Sequence, residues 1–272
     1  MEKLQAALEK AREKRGDASA PVASRDSEGE PATEDTNPIP NSWEAVAPMN
    51  IRLRRLERHL VVTSQAGSKA TPFDILRTKV LLQMRQNNWT RLAITSPMPR
   101  SGKTTTACNL ALGLGRQKDL HTMLLDTDLR DPSVHAFFEV RPEQSIGDVF
   151  AGNVDFANQA LRIGENVIVS MAKGPETDPT RLLLAEETTE TIDAIEERYK
   201  PDVMIFDLPS VLVNDDTRAF LKNVDCALIV VRANATKYSQ FDACEREIAD
   251  HTNVLGVVVN AYRHADQART SG

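Results

Sequence analysis

Arg91-Leu-Ala-Ile-Thr-Ser-Pro-Met-Pro-Arg-Ser-Gly-Lys-Thr-Thr-Thr-Ala107 is the stretch that decides the fold. The apolar run Leu92 to Ile94 predicts a short strand leading into a stiff loop and then Gly102-Lys103-Thr104. Beyond it, Leu110, Leu112 and Leu114 among alanines and small residues predict a helix. A strand, a loop and a helix N-terminus in this order make a phosphate cradle. Loop N–H groups and the positive end of the helix dipole all face one anion. Lys103 would reach the outer phosphates, and the Thr104 hydroxyl would hold Mg²⁺. Ser101, Gly102 and Thr105 complete the cradle, and Arg100 adds a phosphate contact from the loop.

Gly-Lys-Thr also opens helices by chance. The full P-loop pattern wants a glycine five residues before Gly102, where this chain has Pro97. Two acidic strand ends further along supply the missing weight. His121-Thr-Met-Leu-Leu-Asp126-Thr-Asp128-Leu-Arg130-Asp-Pro132 predicts a buried strand ending in two carboxylates spaced i, i+2. Strand alternation alone aims both the same way. Val203-Met-Ile-Phe206 then runs directly into Asp207-Leu-Pro209.

Continuous apolar runs at Val167 to Met171, Cys226 to Val231 and Val254 to Val259 predict further strands. Helical patterns lie over Ser145 to Gly152, Arg181 to Tyr199 and Ser239 to His251. Buried strands alternating with helices indicate a doubly wound α/β domain, its mainly parallel sheet covered on both faces. Ligands of such sheets bind outside the C-terminal ends of the strands. Lys103/Thr104, Asp126/Asp128 and Asp207 all fall there, so they are expected to converge on one nucleotide. Arg232 and Asn260, at late strand ends, are expected to line the same pocket.

Ahead of this domain, Met1, Leu4, Leu8 and Ala11 share one face of an amphipathic helix over residues 1–15. Residues 16–50, rich in Pro, Ser, Glu, Asp and Ala, are expected to be a disordered linker, with Trp43 pinning its end to the globular body. The nucleotide-binding domain spans 51–265, and 266–272 is a short tail. Arg52, Arg54, Arg55, Arg58 and His59 form a basic stretch that reads as a solvated helix face before an acidic-partner site. Thr71-Pro72-Phe73 reads as an N-cap and first turn, placing Phe73, Leu76, Val80, Leu81 and Met84 on a buried stripe.

The net charge of −6 argues against a broad nucleic-acid surface, so no nucleic acid is expected as a partner. Cys108, Cys226 and Cys244 have no pairing or metal spacing and read as core fillers in a reducing cytoplasm. No apolar run approaches the roughly 20 residues that span a bilayer.

The motifs bear a family resemblance. Ser96 to Ala111 resembles the degenerate Walker A of the bacterial tyrosine kinases (BY-kinases) of capsule and exopolysaccharide synthesis. Met123-Leu-Leu-Asp-Thr-Asp-Leu-Arg-Asp-Pro132 resembles their A′ motif, Ile205-Phe-Asp-Leu-Pro-Ser210 their Walker B, and Leu255-Gly-Val-Val-Val-Asn260 their closing strand. The resemblance covers Phe73 to Arg263. It implies an ATP- and Mg²⁺-dependent protein tyrosine kinase, forming homo-oligomers. It also implies a location at the inner face of the membrane, beside a transmembrane polysaccharide co-polymerase whose cytoplasmic segment activates it. Lys103, Asp126, Asp128 and Asp207 become the catalytic candidates and Thr104, Asp126 and Asp207 the metal candidates. Asp126 or Asp128 is the base, with Asp126 favoured.

The chain departs from the family in four ways. Its tyrosines are Tyr199, Tyr238 and Tyr262, with no terminal tyrosine cluster. Thr71, Asp74 and Arg77 stand where a ring-forming helix resembles Glu-x-x-Arg-x-x-Arg. Ser210 replaces a second proline, and Arg181 replaces a glutamate. Two other readings share these motifs: an ATPase switch of the partitioning or division-site type, and a nucleotide-sensing regulator without kinase activity. Met98 stands where such switches resemble one another in a signature lysine.

Overall fold

Apolar runs turn into strands, and most of them hand over to a helix that covers one face of the sheet. Residues 40–262 are described by the computed structural model and lie within one compact unit. The expected helix at residues 1–15, most of the linker and the tail at 266–272 lie outside the described residues. The elements run α1 (Pro40–Glu44), β1 (Ala47–Pro48), α2 (Leu53–Arg58), α3 (Thr71–Asn87), β2 (Arg91–Ser96), α4 (Lys103–Leu114) and β3 (Thr122–Asp126). Next come α5 (Val134–Phe138), α6 (Ile146–Phe150), α7 (Phe156–Gln159), β4 (Leu161–Ile163), β5 (Val167–Ser170), α8 (Pro179–Leu184) and α9 (Glu186–Tyr199). The chain closes with β6 (Val203–Ser210), α10 (Asp216–Leu221), β7 (Cys226–Arg232), α11 (Tyr238–Ala249) and β8 (Asn253–Asn260).

The sheet order is β1-β4-β5-β3-β6-β2-β7-β8. From β5 to β8 every pairing is parallel, while β4 runs antiparallel to β5. Alternation along β6 shows why both faces must be covered. Val203 and Ile205 enter the core beneath α3 and α4, with Val80, Met84, Leu110 and Leu114. Met204 and Phe206 enter the opposite core with Ile192, Tyr199, Phe220 and Ile248. A run apolar at every position is what a strand buried on both sides requires.

Several expectations change. β1 and β4 were not foreseen, being only 2 and 3 residues long, too short for a periodic signal. Residues 40–50 are not linker here: α1 and β1 close the sheet edge, β1 pairing with β4 through Ala47 and Leu161. Trp43 does anchor this segment, its indole Nε1 donating to the Tyr199 carbonyl at 2.8 Å from a fully packed position. Thr71 is the first residue of α3 rather than its cap, and its hydroxyl donates back to the Gly67 carbonyl. Val80, Leu81 and Met84 are buried on that helix, whereas Phe73 and Leu76 are half-buried. Arg55 and Arg58 of the basic stretch pair with Glu139 at 3.0 and 2.9 Å. Burial holds the Cys226 and Cys244 thiols up at about 12, which keeps them protonated and inert.

Candidate active site

β2 delivers its C-terminal end to residues 97–102, and α4 begins at Lys103. Pro97 and Pro99 fix φ at two loop positions. Arg100 and Gly102 turn the chain with φ of +61° and +92°. Gly102 is needed twice over. Its φ suits glycine, and a Cβ there would sit 2.0 Å from Asn260 Nδ2. Side chains from the two last strands hold the loop: Arg232 Nη1 donates to the Arg100 carbonyl and Asn260 Nδ2 to the Ser101 carbonyl, each at 2.9 Å. In a trans peptide the carbonyl and the following N–H point oppositely. Engaging those carbonyls therefore turns the Ser101 and Gly102 N–H groups the other way, as an anion cradle demands. Arg232 and Asn260 line a cavity of about 650 Å³ with Arg100, Ser101, Gly102 and Thr105, a cavity whose walls do not include Lys103, Asp126 or Asp207. The polar heads of Arg232 and Asn260 are already committed to the loop.

The three acidic positions converge. Asp126 and Asp207 are direct partners across β3 and β6, and both are fully buried. Thr127 ties the two strand ends by donating both its N–H and its hydroxyl to the Asp207 carbonyl. Asp128 lies past the end of β3, so alternation does not set its direction as the sequence reading assumed. The loop brings it to Lys103, whose Nζ lies 2.7 Å from Asp128 Oδ2. Asp128 is braced by the Asp131 N–H, and Asp126 Oδ2 accepts from the Val134 N–H at 3.0 Å. Thr104 sits at the first turn of α4 with its hydroxyl 3.1 Å from Ser133 Oγ.

The electrostatics are those of a site built for a cation. Burial pushes the Asp207 carboxyl up to about 6, against the opposing pull of Lys103 and the nearby Thr104 hydroxyl. Asp126 is also raised well above the ordinary carboxylate range, by burial first and then by the Asp207 charge. For Lys103, burial acts downward, but Asp207, Asp128 and Asp126 outweigh it and hold the ammonium charged. Asp126 Oδ1 and both Asp207 carboxylate oxygens are buried without a hydrogen-bond partner among the described residues. Such orphans are rare and ask for a missing partner. Oxygen donors from Asp126, Asp207 and Thr104 suit a hard divalent cation. Among the described residues no cluster of three or more His, Cys, Asp or Glu forms a cage. Magnesium needs none, since it keeps waters and takes one or two carboxylates plus phosphate oxygens.

Sequence reasoning missed a second tier. Ser133 stands against Thr104 from 29 residues away. Arg130 is held by Asp216 through Nε and Nη2, and Thr180 also donates to Asp216, so A′ loop, α8 and α10 meet at one buried carboxylate. Ser96 and Ser210 touch at 3.0 Å. None of these contacts had a local signal, because each joins residues that only the folded chain brings together.

A parallel sheet with a glycine-lysine-threonine loop and buried carboxylates at one edge defines a P-loop nucleotide-binding α/β protein. No family model matches the chain. Tyrosine-protein kinase YwqD of Bacillus subtilis (strain 168) is 25% identical over 209 residues, covering 76% of this chain and 87% of that protein. Tyrosine-protein kinase CpsD of Streptococcus agalactiae serotype III (strain NEM316) is 26% identical over 200 residues, covering 72% and 84%. Among solved structures, the kinase domain of Escherichia coli tyrosine kinase ETK matches with a TM-score of 0.69 and 23% identity, over 84% of this chain and 93% of that domain. Within the P-loop class, the chain is thus a homologue of the bacterial tyrosine kinases and has the fold of their kinase domain.

Proposed function

We propose that the protein is an ATP- and Mg²⁺-dependent protein tyrosine kinase acting in capsule or exopolysaccharide production. The observation that carries this reading is the set of orphaned buried oxygens on Asp126 and Asp207 beside Lys103. Magnesium bound there would supply positive charge to offset that of the phosphates and the negative charge that develops on them. Thr104 and Asp207 would hold it, Asp207 through a water, with Asp126 completing the shell or serving as base. Lys103 neutralises the β/γ-phosphates and must share its Asp128 contact when it does so. The tyrosyl oxygen attacks the γ-phosphorus, the bond to the β-bridging oxygen breaks and ADP leaves. Where Asp126 is the base, Lys103 and the cation would hold it ionised against the pull of burial, ready to take the tyrosyl proton.

The partner suited to this reading is the cytoplasmic segment of a membrane-spanning polysaccharide co-polymerase, which would hold the kinase at the inner face of the plasma membrane. Among the described residues no helix is long and apolar enough to cross a membrane. Self-association belongs to the same reading, though not through Asp74 and Arg77. Asp74 accepts from Arg116 at 2.7 Å and Arg77 donates to the Gly113 carbonyl at 3.0 Å, so both are engaged within the chain. The ATPase-switch reading loses its lysine at Met98, whose position between two prolines offers the phosphates no cation.

The test is transfer of labelled γ-phosphate from Mg-ATP to tyrosine in the purified protein and in an added tyrosine polymer. Lys103→Met should abolish it. Hydrolysis of ATP with no phosphotyrosine, with and without the partner segment, would decide for the switch instead.

A further inference from the structure

The loop that lacks its first glycine is fastened by hydroxyls. Met98 lies between Pro97 and Pro99, and the peptide after it has no N–H to donate. Its carbonyl accepts two hydroxyls at once, Ser96 Oγ at 2.9 Å and Ser101 Oγ at 2.7 Å. A serine hydroxyl has one hydrogen. Ser96 gives its hydrogen to Met98, so the 3.0 Å contact between Ser96 and Ser210 has Ser210 as donor. The order of donation is Ser210 to Ser96 to the Met98 carbonyl, with Ser101 arriving from the far side. Ser96 and Ser210 are also backbone partners, where β2 and β6 resume register after an irregularity. The Val211 N–H continues along the loop by donating to the Ser96 carbonyl at 2.9 Å. All three serines are buried, Ser96 fully, so water does not compete for these bonds.

We propose that Ser210 is a positioning residue, which through Ser96 and the Met98 carbonyl sets the phosphate-binding loop in its nucleotide-ready shape before any ligand arrives. Flexibility that a glycine would supply is absent at Pro97, so the loop has few shapes available and the hydroxyl relay selects one. Arg232 and Asn260 hold the loop from the β7–β8 side, and Ser210 holds it from the β6 side. Ser210 touches no reacting atom. It acts three residues beyond Asp207 on the same strand, so metal-side and phosphate-side halves of the site are built from one element.

The nucleotide half of this inference rests on the proposed function; the loop half does not. Hydrogen exchange is measured on the ligand-free full chain, and Mg-ADP binding on the same samples, for wild type, Ser96→Ala, Ser210→Ala, the double variant and Ser210→Thr. Exchange at residues 98–104 should rise in both alanine variants while the sheet core stays protected. The Kd for Mg-ADP should weaken roughly three- to tenfold in each, as loss of one or two buried neutral hydrogen bonds predicts. The double variant should be no weaker than Ser96→Ala alone, and Ser210→Thr should restore both readouts. Unchanged loop exchange in Ser210→Ala, exchange raised throughout the fold, or multiplicative weakening in the double variant would each overturn the relay. Wild type that binds no Mg-ADP would sink the nucleotide reading, and the exchange contrast would still decide whether the loop is clamped.

Discussion

Asp207 is the residue whose chemistry conflicts most with its place in the fold. It is fully buried, has no hydrogen-bond partner among the described residues, and has its carboxyl pushed up to about 6. In an unfolded chain it would titrate near 3.8. Between those values the folded form holds a proton that the unfolded form has lost, so stability falls as pH rises through that window. Above about pH 6 the folded site carries a charge at a cost. Asp207→Asn should therefore stabilise the ligand-free protein at pH 8, on the order of 1–3 kcal/mol. The gain should shrink as pH falls from about 6 and be gone below 3.8, where Asp207 is protonated in both states. Phosphoryl transfer should be lost in the same variant. Denaturant melts at the two pH values check the first part; equal stability at pH 8 would mean the charge is already compensated. Gly102→Ala meets a second local limit, a φ of +92° and an Asn260 amide in the space its Cβ would fill. It should remove measurable Mg-ADP binding while leaving far-ultraviolet circular dichroism unchanged.

Residues 40–50 were read as the end of the 16–50 linker, because Pro, Ser, Glu, Asp and Ala prevail over that whole stretch and large apolar residues are few. What orders the segment is distant: the Tyr199 carbonyl at the end of α9, the ring of Tyr199 edge-on at 6.2 Å and the His121 ring at 4.7 Å. Trp43→Ala should cost about 3–5 kcal/mol by cavity formation and loss of the anchor, read from urea melts. Protection of the Met49 amide, which donates to the Arg162 carbonyl, should fall in step. The Arg55 and Arg58 pairs with Glu139 between α2 and α5 contrast with this. They are partly exposed. Glu139→Gln should change stability by less than about 1 kcal/mol, and less still in high salt.

Ligand binding couples these parts into one equilibrium. Mg-ADP at a hundred times its Kd should stabilise the whole domain by about 2.7 kcal/mol. At roughly 2–4 °C per kcal/mol for a domain of this size, the melting temperature should rise by about 5–10 °C. Omitting magnesium should remove most of the shift if Asp126 and Asp207 meet the nucleotide through the metal. A full shift in EDTA would place the binding energy in the loop alone. The doubly wound sheet was legible because strands buried on both faces read as unbroken apolar runs, Val203 to Phe206 most clearly. The site was legible to the extent that it sits at strand ends: Lys103, Asp126 and Asp207 each end or follow such a run. Asp128 was named on alternation, but a loop and not alternation brings it to Lys103.

Residue order alone determined which apolar runs become the central strands, which charged side chains stand near their C-terminal ends, and that one rim of a mainly parallel sheet gathers them. These follow from periodicities a few residues long. Folding alone decided that β3 lies beside β6 and β6 beside β2, so that Asp126 faces Asp207 and Ser96 meets Ser210 across 114 positions of chain. It also decided which carboxylate oxygens are left without partners. Adjacency of strands is settled by the packing of both helical layers at once, and no short window of sequence contains that information.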